Sequence, residues 1–143
     1  MSEPIPLSVP TPAKSTPWLT PVRAIARGQA ITEPYTIDRV IRWLLGPART
    51  IAGPTELLDA VSERLVAAGL PLARSTFHVS TLHPQFTSIF SKWDRNAART
   101  EEGLIAHGVR NHDAYLLSPL RRVFEKGETV RRRLDVAGAP LEF

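Results

Sequence analysis

The sequence predicts an α+β domain in which a small antiparallel sheet packs against helices. Two amphipathic helical stretches with clear starts and stops lie between residues 36 and 69. An alternating run opens at Ala73, and the short link His83-Pro84-Gln85 joins it to a second β-favouring segment ending at Trp93. A 3.6-residue period followed by a period of two, with a hairpin-length connection, is the signature of helices laid on an antiparallel sheet.

The first 20 residues stand apart. Six of the 13 prolines (Pro4, Pro6, Pro10, Pro12, Pro17 and Pro21) fall in the first 21 residues, where each fixes φ and removes a backbone donor. Residues 1–20 are therefore expected to form a flexible leader, either a plain tail or a docking segment for a proline-reading partner, with Trp18 able to pin its end. Residues 21–143 are expected to form a single domain, a length that buries about two thirds of the unfolded surface.

Within that domain a short helix is expected near Pro21 to Gly28. A clearer one opens at Thr36, an N-cap residue, with Asp38 in the first turn where the helix dipole favours negative charge. Ile37, Val40, Ile41, Leu44 and Leu45 share a face, and Gly46-Pro47 ends the helix. The next helix starts at Pro54 or Thr55, and Gly69 is placed as its C′ residue. Its apolar stripe is Leu57, Leu58, Val61, Leu65 and Val66, whose burial contributes roughly 8–15 kcal/mol before chain entropy is subtracted.

From Ala73 to Leu82 the period of two sets Ser75, Phe77, Val79 and Thr81 on one face and Arg74, Thr76, His78 and Ser80 on the other. Phe86 to Trp93 pairs with this run as a hairpin, with Pro84 in the turn or on an edge because it cannot donate to a ladder. Asp94 to Gly103 lose the apolar pattern and read as a surface excursion. Leu104 to Val109 read as a third strand. Ser118-Pro119 open a short helix through Leu120, Val123 and Phe124 that stops at Gly127. Thr129 to Val136 alternate again and read as a last strand with one wet face. The sheet still wants further strands on its edges, so it looks incomplete at the C-terminus.

Composition narrows the chemistry. Cysteine is absent, which removes disulfides, thiolate nucleophiles and zinc–sulfur sites together and fits a reducing, cytoplasmic setting. No window has the apolar length of a membrane span and no signal-peptide pattern opens the chain. The four histidines, His78, His83, His107 and His112, match no metal-binding spacing, and there is no Gly-x-Ser-x-Gly elbow or phosphate-cradling glycine loop. No catalytic constellation is visible and no cofactor is expected in this chain. Eighteen basic residues against 14 acidic ones give a net charge of +4. Arg121, Arg122, Lys126, Arg131, Arg132 and Arg133 cluster, but the strand period splits the last three across two faces and no aromatic residues interleave them. Nucleic acid is therefore disfavoured as a partner, and a small basic nucleic-acid-binding or protein-interaction domain is kept as the alternative.

Several phrases carry a family resemblance: Leu44-Leu45-Gly46-Pro47-Ala48-Arg49, Leu57-Leu58, Glu63-Arg64-Leu65-Val66-Ala67-Ala68-Gly69-Leu70-Pro71-Leu72, Thr81-Leu82-His83-Pro84, Trp93, Ser118-Pro119-Leu120 and Arg131-Arg132-Arg133-Leu134. Together, over residues 38–143, they resemble the N-terminal region of certain bacterial class III adenylate/guanylate cyclases. The resemblance implies a GAF-like regulatory α/β module that precedes a cyclase catalytic domain. It also implies that the two metal-binding aspartates, and with them Mg²⁺ or Mn²⁺, belong to that catalytic domain. None of its site residues can be carried onto this chain, which resembles a truncated member of the family. The expected partner is a cyclase catalytic domain in cis or in trans, and a homodimer is a further arrangement. A ligand pocket is expected between the sheet and a covering helix, walled by Phe77, Val79, His83 and Trp93.

Overall fold

The structure is a computed structural model, and it describes residues 17–131. Its elements are β1 (Leu19–Ala26), α1 (Ile37–Leu45), a 3₁₀ turn (Pro47–Thr50), α2 (Pro54–Ala67), β2 (Arg74–Ser80), β3 (Phe86–Asp94), β4 (Arg99–Ala106), a second 3₁₀ turn (His107–Asn111), α3 (Asp113–Leu116) and α4 (Pro119–Lys126). The four strands form one antiparallel sheet in the order β1-β4-β3-β2. The expected α+β class, with an antiparallel sheet against helices, is what the chain adopts.

Local signals set most boundaries. The Thr36 side chain accepts from Arg39 N at 3.3 Å and caps α1. Ser118 does the same for α4, accepting from Leu120 N at 3.0 Å with Pro119 in the first turn, and Gly127 ends that helix at φ 65°. The β2–β3 hairpin keeps an unbroken register from Arg74↔Asp94 to Ser80↔Ser88.

Two segments depart from the sequence expectation. Residues 21–28 do not form a helix: Leu19–Ala26 is a strand that adds to the free side of β4. A long-range pairing overrides the modest local helix preference there. The stretch from Asp94 to Gly103 is no loop either, because a four-residue turn suffices. Asp94 Oδ1 accepts from Asn96 N at 3.0 Å, and β4 starts at Arg99. The third strand therefore begins five residues earlier than expected, and His107–Asn111 coil into the 3₁₀ turn. Gly103 is needed where β1 and β4 meet, since a Cβ would lie 3.0 Å from Leu19 Cδ1 and 3.1 Å from Thr20 O, beside a register shift between Pro21 and Arg23. The expected last strand falls at residues 129–136. Residues 129–131 have no regular structure, and the rest of that stretch, like residues 1–16 of the leader, lies outside the described residues.

The two helices pack otherwise than their apolar stripes suggest. On α1 only Val40 is buried, while Ile37, Ile41, Leu44 and Leu45 face outward. On α2 the buried residues are Thr55, Leu58, Asp59, Ser62 and Glu63. Of the expected stripe only Leu58 is fully buried; Leu57, Val61, Leu65 and Val66 are half-buried. The helix thus turns its polar side to the sheet.

Candidate functional site

Directly opposed residues in an antiparallel sheet share a face, which divides this sheet cleanly. The pairings put Phe77, Val79, Ile89, Ser91, Trp93, Thr100, Glu102 and Arg23 on the side covered by α2. His78, Ser80, Ser88 and Ile105 lie on the other, beneath the C-terminal helices.

The α2 side is a filled, hydrogen-bonded seam. Trp93 is fully buried, and its Nε1 donates to Glu63 Oε1 at 3.1 Å. The same carboxylate takes Arg27 Nε at 2.9 Å and also Arg27 Nη2, and the guanidinium lies 4.8 Å from the Trp93 ring centroid. Arg27 Nη1 reaches the carbonyls of Arg95 and Ala97 at 2.6 and 3.1 Å. One turn earlier, Asp59 takes Thr100 Oγ1 at 2.7 Å and Gly28 N at 2.9 Å. Another turn earlier, Thr55 bonds both Ser91, at 2.7 Å, and Glu102. Arg23 spans Glu56 and Glu102, with bonds of 2.6 and 3.0 Å. That guanidinium holds both carboxyls below the usual carboxylate range, and they in turn raise Arg23. Thr55, Asp59, Glu63, Trp93 and Arg27 all bond across the seam, while Ser62 Oγ on the same helix is buried without a partner among the described residues, and the seam is a structural joint.

The opposite side holds a cavity of about 90 Å³ with a mainly apolar lining. Its floor is His78, Ser88 and Ile105 on the sheet; its walls are Trp18, Val109 and Tyr115; its cover is Leu120 and Phe124 of α4. Burial pushes the His78 imidazole down from its ordinary value, favouring the neutral ring, which lies 5.0 Å from Phe90. The indole Nε1 of Trp18 is buried and has no acceptor among the described residues. Neither α3 nor α4 buries a single residue, so the cover is lightly held.

The residues expected to wall a pocket are not brought together. Phe77 and Val79 lie on the α2 side with Trp93, whose indole is committed to the seam. His83 is in the hairpin turn, stacked on Phe86 at 3.8 Å and bonded through its carbonyl to His107 Nε2 at 2.9 Å. None of the four lines the cavity. The expectation placed the pocket on the odd-numbered face of β2, where α2 buries Trp93 but leaves Val79 exposed, whereas the cavity lies over the even-numbered face beneath short helices. The alternation already paired His78 with Ser80, and Ser118-Pro119 already marked the cover; what was missing was which face α2 would take.

Among the described residues no group of three or more His, Cys, Asp or Glu side chains is placed to hold a metal ion, and no helix is long and apolar enough to cross a membrane. On α4, Arg121 pairs with Glu125 at 3.1 Å and Arg122 with Glu128 at 2.6 Å. The chain matches no protein-family model, no curated protein and no solved structure.

Proposed function

We propose that the chain is a GAF-like regulatory module, of the kind that precedes the catalytic domain of bacterial class III adenylate/guanylate cyclases, and that the cavity beneath α4 receives its signal. The phrases at residues 44–49, 63–72, 81–84 and 118–120 support the family assignment. The cavity is the observation that carries the sensory role: an apolar void on one sheet face under a cover that buries none of its own residues.

The ligand that suits it is a small apolar molecule. An apolar cavity of roughly 150 Å³ admits benzene, so a ligand of that size shifts α4 outward on entry. Displacement of α4 changes what the chain presents to a cyclase catalytic domain in cis or in trans, which is a coupling between two sites through one movable element. In this reading Mg²⁺ or Mn²⁺ serves that catalytic domain, and the setting is the cytoplasm.

Two measurements test the proposal. Benzene, indole and phenol are titrated while the His78 and Trp18 ring signals are followed by NMR and the thermal midpoint is recorded. Shifts confined to the cavity side and a raised midpoint are expected; no response at saturation removes the sensory role. Turnover of ATP or GTP with Mg²⁺ or Mn²⁺ by the purified chain would overturn the non-catalytic assignment. The rival basic-surface function has less support, because Arg121 and Arg122 already spend their charge on Glu125 and Glu128.

A further inference from the structure

The two outer strands of the sheet differ in how they are defended. β1 carries Pro21, a register shift between Pro21 and Arg23, and a charged arginine, all devices that keep an edge from pairing with another chain. β2 lacks both the proline and the register shift. Its sequence is Arg-Ser-Thr-Phe-His-Val-Ser, its register with β3 is unbroken, and its one charged residue, Arg74, is tied to Asp94 at 3.4 Å.

The hydrogen-bond parity shows what that edge offers. Thr81 N donates to Thr87 O at 2.9 Å and Arg95 N to Ala73 O at 2.8 Å, so the odd-numbered residues bond inward to β3. Arg74, Thr76, His78 and Ser80 consequently turn their N–H and C=O groups outward, and among the described residues no backbone partner meets them.

We propose that β2 is the dimerisation edge of this chain, pairing antiparallel with β2 of a second copy in a register centred on Phe77. Hydrogen-bonded pairs across such an edge must join even-numbered residues, and this register joins Thr76 to His78 and Arg74 to Ser80. It places Phe77 opposite Phe77 at a non-hydrogen-bonded position, where side chains approach closest and aromatic pairs stabilise most. The two copies of Arg74 sit at opposite ends, so no like charges meet. Continued past the strand, the register brings Leu82, the most exposed apolar residue among those described, to Leu72 of the second copy. Both α2 helices lie on the same face. Centred over β3, they stand three strand spacings apart, about 14 Å, wider than the 8–10 Å of packed helices, and do not clash. The interface is isologous and closes as a twofold dimer with an eight-stranded sheet.

The inference does not rest on the proposed sensory role, and its test reads mass and cross-linking alone. Light scattering on the full chain is expected to show the mass doubling with concentration. Thr76→Pro removes an outward N–H while sparing the β3 ladder, and Thr76→Lys adds an edge charge; both are expected to be monomeric with an unchanged far-UV spectrum. The chain has no cysteine, so single additions report the register. Phe77→Cys sets two Cα atoms about 4.5 Å apart and is expected to form an intermolecular disulfide on mild oxidation. Ser75→Cys sets them about 13 Å apart and is not, whereas Ser75→Cys with Val79→Cys is. A chain that stays monomeric up to about 1 mM, as it would if another segment or protein occupied the edge, overturns the proposal. So does a Thr76→Pro variant that remains dimeric, or equal cross-linking of Phe77→Cys and Ser75→Cys.

Discussion

Replacing Glu63 by alanine tests whether the polar seam, rather than an apolar stripe, holds α2 to the sheet. Glu63 is 7% exposed and Trp93 fully buried, and the carboxylate serves both the Trp93 indole and Arg27. Removing one partner of a buried ion pair costs about 3–5 kcal/mol, and an orphaned buried N–H costs about 1–3 kcal/mol. The two overlap, and Arg27, whose side chain is 23% exposed, keeps its bonds to the Arg95 and Ala97 carbonyls. The expected loss for Glu63→Ala is therefore about 3 kcal/mol, a large share of the roughly 5–15 kcal/mol that holds a domain. Glu63→Gln keeps an acceptor for Trp93 and forfeits only the charge, so about half that loss is expected. Urea unfolding followed by tryptophan fluorescence gives both numbers, with the m-value checking that the unfolded reference has not moved. The reasoning fails if Glu63→Ala lies within about 1 kcal/mol of the parent, or if the alanine and glutamine variants are equally destabilised.

Three further outcomes follow from the same geometry. Ser118→Ala removes the cap of α4 and is expected to cost about 1 kcal/mol, with amide exchange rising in α4 before the sheet; uniform exchange would contradict a separately held cover. Ser88→Val extends apolar volume into the cavity from a strand position and is expected to stabilise by about 0.5–1 kcal/mol, while abolishing the ring shifts caused by benzene; a loss of stability would mean the void is not where it is drawn. Arg23 lowers Glu56 and Glu102, so the unfolded chain takes up their protons first, and this stabilisation, complete above about pH 4.3, fades as pH falls through the folded values. Arg23→Gln should flatten the acid side of a plot of urea midpoint against pH, and an unchanged slope would show that the salt bridges do not form in solution.

Much of the architecture is written locally. Thr36, Ser118-Pro119, Gly69 and Gly127 act within one turn of chain, and the β2–β3 hairpin follows from alternation and a short link. β1 was illegible because its residues prefer helix weakly, while β4, about 80 residues away, supplies the ladder that decides. The start of β4 was obscured by charges that look like loop: Arg99 and Glu101 lie on the face opposite Thr100, which is fully buried against Asp59, and Glu102 shares the Thr100 face and is held by Arg23 and Thr55. The cavity was hidden for a related reason. Its floor is set by which face α2 covers, and the α2 residues that settle this are Thr55, Asp59, Ser62 and Glu63, ordinarily read as solvent-facing.

That inversion bears on the regulatory role proposed above. An apolar stripe tolerates sliding, because its energy depends on area and little on register, whereas a row of charged and hydroxyl groups with fixed partners does not. Thr55, Asp59 and Glu63 recur every four residues, and each meets its own strand partner, Ser91 and Glu102, Thr100, and Trp93 in turn. A displacement of α2 by one turn would strand several buried polar groups at once. The α4 side has the opposite character: no buried residue in the helix, a void beneath it, and end caps from Ser118 and Gly127. Under the proposed sensory role, binding energy delivered to this sheet would move the C-terminal cover and leave α2 fixed, since motion follows the element with the least to lose.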